Sequence, residues 1–245
     1  MIDLLLKHYI PLTYLLEFLA AVTGLFYYKK YRNSAAKYFI LFLIIIAISD
    51  ALNYYTWYVG SDKALSFLIG TKFEKNHWWT TLYWDIGAIL FYTFYFYKIL
   101  KKQLFKNIIK YSGYLFFVFS LIYITLHWEQ FFYEFFTVFD VLGAIIICLC
   151  SVFYFIEILL SDKILNFYKS LNFYISVAIF FWWLIITPLS FYSVYFTYEI
   201  GKNFFDLDFV HLRRQVYLFS NMFMYLTFTI ALIWCRPENE INKEK

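Results

Sequence analysis

Polar and charged residues are clumped along this chain, and between the clumps lie seven long apolar stretches. They run over about residues 9–28, 38–59, 78–97, 111–128, 135–160, 171–198 and 215–235. Each approaches the roughly 20 residues a helix needs to cross a bilayer. Helix is the expected form, because backbone polar groups in lipid must be satisfied within their own segment. The pattern predicts an all-α membrane protein: one domain, 1–235, built as a bundle of seven transmembrane helices, with a short tail over 236–245. The first stretch does not read as a cleavable signal. It is too long, Glu17 interrupts it, and Lys29-Lys30-Tyr31-Arg32 follows directly.

Composition sharpens the class. Of 245 residues, 63% are hydrophobic and only 16% charged, and the mean hydropathy is +0.62. Soluble domains carry about 45–50% apolar and about 25% charged residues. A soluble enzyme, a nucleic-acid-binding domain and a disordered chain are thereby excluded. Phe and Tyr are abundant, with Lys, Ile and Asn, while Gly and Pro are scarce. AT-rich coding produces that bias, so the aromatic excess is not itself a ligand signal.

Charge placement predicts orientation. Lys29, Lys30, Arg32, Lys37, Lys98, Lys101, Lys102, Lys106, Lys110, Lys163, Lys169, Arg236, Lys243 and Lys245 lie in one set of loops. The other set holds Lys7, Lys63, Lys72, Lys75, Lys202, Arg213 and Arg214. The positive-inside rule then places the N-terminus outside and the C-terminus in the cytoplasm, as in a bacterial inner membrane. The largest loops, about 60–77 and 199–214, fall outside. The segment Lys98–Lys110 reads as a basic loop that could also lie along the inner leaflet. The tail is too short for an enzyme, so signalling would require a separate cytoplasmic protein partner. Cys148, Cys150 and Cys235 lie outside the outer loops and imply no disulfide framework.

The candidate chemistry lies in the few acids left in lipid. Glu17, Asp50, Asp85 and Asp140 stand inside four different stretches, while Glu157 can reach an interface. An ionisable group there costs about 2.5–3.5 kcal/mol on insertion scales and should face the bundle interior. At 1.5 Å per residue, the four fall roughly 8–13 Å below the outer ends of their helices. Asn221 shares their level, Asn53 stands one turn from Asp50, and Pro188, which frees a helix carbonyl, lies slightly deeper. A short echo links Thr81-Leu-Tyr-Trp-Asp85-Ile-Gly87-Ala88 with Thr137-Val-Phe-Asp140-Val-Leu-Gly143-Ala144, offset by one residue.

Such a layer suits a proton, a metal or alkali cation, or an organic amine against the faces of Tyr54, Tyr55, Trp84, Trp182 and Trp183. A purely structural network of protonated acids is the plainer alternative. His77, His127 and His211, with Glu129 or Asp85, are weaker candidates for zinc. The seventh stretch has no lysine for a retinal Schiff base, and His211 has Gln215 one turn on rather than a second histidine. No phosphate-binding glycine loop, HExxH or nucleophile elbow occurs, and no cofactor is predicted. The expected function is a proton- or cation-coupled carrier or binder of a small molecule, using Glu17, Asp50, Asn53, Asp85, Asp140 and Asn221 with Pro188 as hinge. The alternatives are a receptor-like sensor and a membrane-embedded metal hydrolase.

Overall fold

The computed structural model describes residues 6, 8–192 and 206–237. Lys7, residues 193–205 (with the end of the sixth apolar stretch and Lys202) and the tail from 238 lie outside the described residues. The chain runs α1 (Tyr9–Tyr31), α2 (Ala36–Asn53), a 3-10 turn (Tyr54–Tyr58), α3 (His77–Thr80), a π-helical stretch (Thr81–Ala88), α4 (Ile89–Ile99), α5 (Gln103–Leu126), α6 (Thr137–Leu159), α7 (Leu171–Ser190) and α8 (Leu207–Trp234). Helix accounts for 81%, and no strand occurs among the described residues.

Six helices are long and apolar enough to cross a membrane: α1, α2 with its 3-10 extension, and α5 to α8. The third apolar stretch is helical from His77 to Ile99 but passes from α to π geometry and back. Phe26, Leu115, Leu126 and Trp234 are largely exposed on the outside of the bundle, whereas Glu17, Thr81, Asn172 and Ser176 are buried within it. Apolar groups outward and polar groups inward is an arrangement compatible with an integral membrane protein.

Packing follows a nearly closed ring. α1 lies between α2 and α8, α8 packs on α7, and α7 on α6. α6 then meets α4, which also carries α5, while the π stretch touches both α2 and α6. Phe39, Tyr95, Phe96, Ile147 and Phe228 fill the centre and are fully buried. Tyr95 Oη donates to Asn172 Oδ1 (2.6 Å), so the one polar tip in this layer is satisfied.

Two helices begin earlier than hydropathy implies. α5 starts at Gln103, so the Lys98–Lys110 segment is neither a loop nor a surface helix: its second half forms the first two turns of the membrane helix. Its lysines reach back over aromatic rings, Lys106 over Tyr97 at 4.8 Å and Lys102 over Phe105 at 5.3 Å. α8 starts at Leu207 because the Asp206 side chain accepts from the backbone N–H groups of Asp208 (2.9 Å) and Phe209 (3.1 Å). Arg213 and Arg214 are therefore helical residues in the second turn, not loop residues. Pro188 stands in the last described turn of α7.

Two further helix ends are held by side chains. Tyr31 Oη donates to Cys235 O (2.7 Å) and Lys30 Nζ to Ile233 O (3.0 Å), which satisfies carbonyls at the C-terminus of α8. Glu157 of α6 accepts from the backbone N–H groups of Lys101 (2.8 Å) and Lys102 (2.7 Å) at the start of α5. Removing that acceptor in Glu157→Ala should cost about 1–3 kcal/mol, read as a lower thermal midpoint in detergent. Glu157→Gln keeps one acceptor oxygen and should lose less.

Candidate functional site

The buried acids form two groups, one on each side of the π stretch. The first joins α1, α2 and α8. Glu17 is 1% exposed, and both of its carboxyl oxygens are buried without a hydrogen-bond partner. Asp50 and Tyr225 lie alongside it without reaching hydrogen-bonding geometry. Tyr83 Oη donates to Asp50 Oδ1, and Asn53 Nδ2 donates to Tyr83 Oη (2.7 Å) and Thr80 Oγ1 (3.2 Å). The Trp79 indole N–H binds Ser49 O (3.1 Å) and holds the π stretch against α2.

The second group joins the π stretch, α6, α7 and α8. Asp85, buried, faces Asp140 of α6, with Thr81 beside it. Ser190 of α7 lies beside Asp140, and the Arg213 guanidinium of α8 is near enough to act on it electrostatically. The Arg213 guanidinium also sits 4.6 Å over the Tyr217 ring.

Helix type separates the groups. Tyr83 and Asp85 are two residues apart, so they leave opposite sides of the helix, one toward Asp50 and the other toward Asp140. A π turn closes on i+5 and is wider than an α turn. Gly87 belongs to the same device, since a Cβ there would stand 3.0 Å from Leu82 O.

The other candidates are placed as follows. Trp84 meets Trp182 edge-on at 5.3 Å, and Trp182 meets Trp183 at 5.4 Å, so these faces are turned on one another. The Trp182 indole N–H donates to Asn221 Oδ1 (2.7 Å), which leaves that oxygen one further lone pair. Tyr54 is 39% exposed, stacks on Trp57 (5.3 Å) and meets Tyr14 edge-on (6.4 Å). Tyr55 Oη donates to Phe73 O and Lys75 O (2.8 Å each) and fastens a loop. Both follow the end of α2 at Asn53, where the chain tightens into a 3-10 turn.

The histidines stand apart from one another. His127 Nδ1 is 3.0 Å from Tyr123 O, and His211 is exposed. His77, just outside the third apolar stretch, meets Phe135 edge-on at 4.2 Å. Among the described residues no group of three His, Cys, Asp or Glu is placed to hold a metal.

Burial and the neighbouring Lys75 push the His77 pKa down to about 4, from the ordinary 6.5. An unfolded chain then binds the proton more readily than the folded one between those values, so stability is lost as pH falls through this window. Thermal midpoints of native protein should therefore drop between pH 6.5 and 4 more steeply than those of His77→Gln.

No protein family, no curated protein and no solved structure matches this chain. Its function is therefore argued from its own residues. Tyr83, Tyr225, Thr81 and Ser190 join the acids only in three dimensions. Nothing local distinguishes Tyr83 or Tyr225 among 25 tyrosines, although Tyr225 does follow Asn221 by one helical turn.

Proposed function

We propose that this protein is a carrier of protons or other small cations across a bacterial inner membrane, with seven spans, its N-terminus outside and its C-terminus in the cytoplasm. The third apolar stretch, carried by its composite helix, is the seventh crossing, and the excess of lysines on one set of loops sets the direction. One observation carries the reading. The Glu17 carboxyl is enclosed, has no hydrogen-bond partner, and lies beside a second carboxyl.

A bare carboxylate in such a place costs several kcal/mol. The cost falls when the pair takes up a positive charge, and it rises again when that charge leaves. Carboxyls that alternate between these states are the working part of a proton or cation relay. A structural role would be expected to place hydroxyl or amide donors on the Glu17 oxygens, as Tyr83 does for Asp50.

The tryptophans favour a small ion over an organic amine, since their faces are already engaged. Asp50, Tyr83 and Asn53 form the path from Glu17 toward the loops. Reconstitution of the full chain in vesicles, with uptake driven by an imposed ion gradient, tests the proposal. Glu17→Gln is the decisive variant.

A further inference from the structure

We infer that Asp85, Asp140, Thr81 and Ser190 form a second, separate site, for a monovalent alkali cation, across the π-helical wall from Glu17 and Asp50. The inference deepens the carrier reading and takes its physiological meaning from it, but binding itself can be measured on resting protein.

Two carboxyls facing each other across packed helices would not by themselves make a site. The added observation is Thr81. It is fully buried, and its Oγ1 lies against the Asp85 carboxyl with no hydrogen-bond partner. A hydroxyl in the bundle interior normally returns to the backbone one turn earlier. Ser120, Ser176 and Thr229 do so at 2.7–2.8 Å. Thr81 does not, and its oxygen is left for a ligand. π segments of this kind recur at functional sites.

The donor set defines the ligand class. Carboxyl and hydroxyl oxygens are hard donors, suited to alkali and alkaline-earth ions rather than soft metals. Charge decides between those two. With both carboxyls ionised the group carries two negative charges, and the Arg213 guanidinium of α8 is near enough to act on Asp140 with one positive. One positive charge is missing, which a monovalent ion provides and a divalent ion exceeds.

The test is thermal unfolding of the full chain in detergent, with sodium, lithium or potassium chloride replacing choline chloride at constant ionic strength. A bound ion stabilises the folded state in proportion to the logarithm of its concentration above Kd. We expect the midpoint to rise with at least one alkali ion. Asp85→Asn and Asp140→Asn should each remove the rise, and Glu17→Gln should keep it. Thr81→Val, which preserves shape and removes one oxygen, should require about tenfold more ion for the same shift.

The site is refuted if no alkali ion shifts the midpoint relative to choline, or if Thr81→Val responds like native protein. Stronger stabilisation by calcium would refute the monovalent assignment. Loss of the response in Glu17→Gln would make the two groups one site. Alkali stabilisation without flux in vesicles would leave this site standing and remove the carrier reading.

Discussion

Vesicles containing Glu17→Gln should show no gradient-driven cation or proton uptake above protein-free vesicles, while the purified variant unfolds at or above the native temperature. The two halves of this expectation have one cause. Glutamine matches glutamate in size, so the 1% exposed site is neither emptied nor overfilled. It cannot release or accept a proton, and it offers a cation one neutral oxygen instead of a carboxylate. Replacing a buried ionisable group by a neutral group of similar volume is often neutral or stabilising. The new amide N–H groups can also donate to Asp50 and to the Tyr225 hydroxyl, which lie alongside. Lost function with a retained fold is the signature of a working group. Native-like uptake by Glu17→Gln would return Glu17 to a structural role and sink the proposed function. A companion Asp50→Asn keeps an acceptor for Tyr83 and should also block uptake, because the shared charge then has one carboxyl instead of two.

The second large effect concerns the helix crossing beside Asp140. Gly143 stands one turn after Asp140, where α6 passes against α4 and α7. A Cβ added there would lie 2.2 Å from Ile89 Cδ1 and 3.2 Å from Trp183 Cη2. Ile89 is fully buried and Trp183 nearly so, so neither has free space to enter. Overpacking of this kind costs typically about 1–3 kcal/mol, and Gly143→Ala should lower the thermal midpoint accordingly. Small residues at such crossings let helices in lipid approach closely. The double variant Gly143→Ala with Ile89→Val removes the clashing methyl. It should recover much of the loss, although Ile89→Val alone costs about 0.5–1.5 kcal/mol. A coupling energy near zero in this cycle would show that the helices part easily at Gly143 and that the close approach does not position Asp140.

Much of this architecture is legible without coordinates, for reasons visible in particular segments. The α6 stretch from Thr137 to Leu159 is apolar over most of its surface, and no other element type satisfies its backbone in lipid. Its boundaries are therefore read within a few residues. α5 and α8 are misread at their starts, because both begin in polar residues. Lysines that reach over aromatic rings tolerate the helix in α5, and the Asp206 cap initiates it in α8. Hydropathy averages over a window and registers neither effect.

The acids divide along the same line. That Glu17, Asp50, Asp85 and Asp140 must turn inward follows from the cost of charge in lipid, and the structure does bury Glu17 and Asp85. Which acid meets which was not available from depth alone. Equal depth suggested one layer, whereas rotation about each helix axis separates them into two groups. The π geometry of Thr81–Ala88 sets that rotation for the third helix, and a π turn depends on packing against α2 and α6 more than on local propensity.

The 245-residue sequence by itself determined the solvent, the helical class, the approximate spans and the inward placement of the acids. Each of these is a sum over a segment or a transfer cost of one residue, and such quantities need no knowledge of neighbours. Only the tertiary structure decided that Tyr83 serves Asp50, that Trp182 donates to Asn221, that Arg213 acts on Asp140, and that Glu17 and Thr81 are left without partners. Those outcomes depend on directions and distances of a few ångströms between helices far apart in the chain, where hydrogen bonds and ion contacts are made or missed.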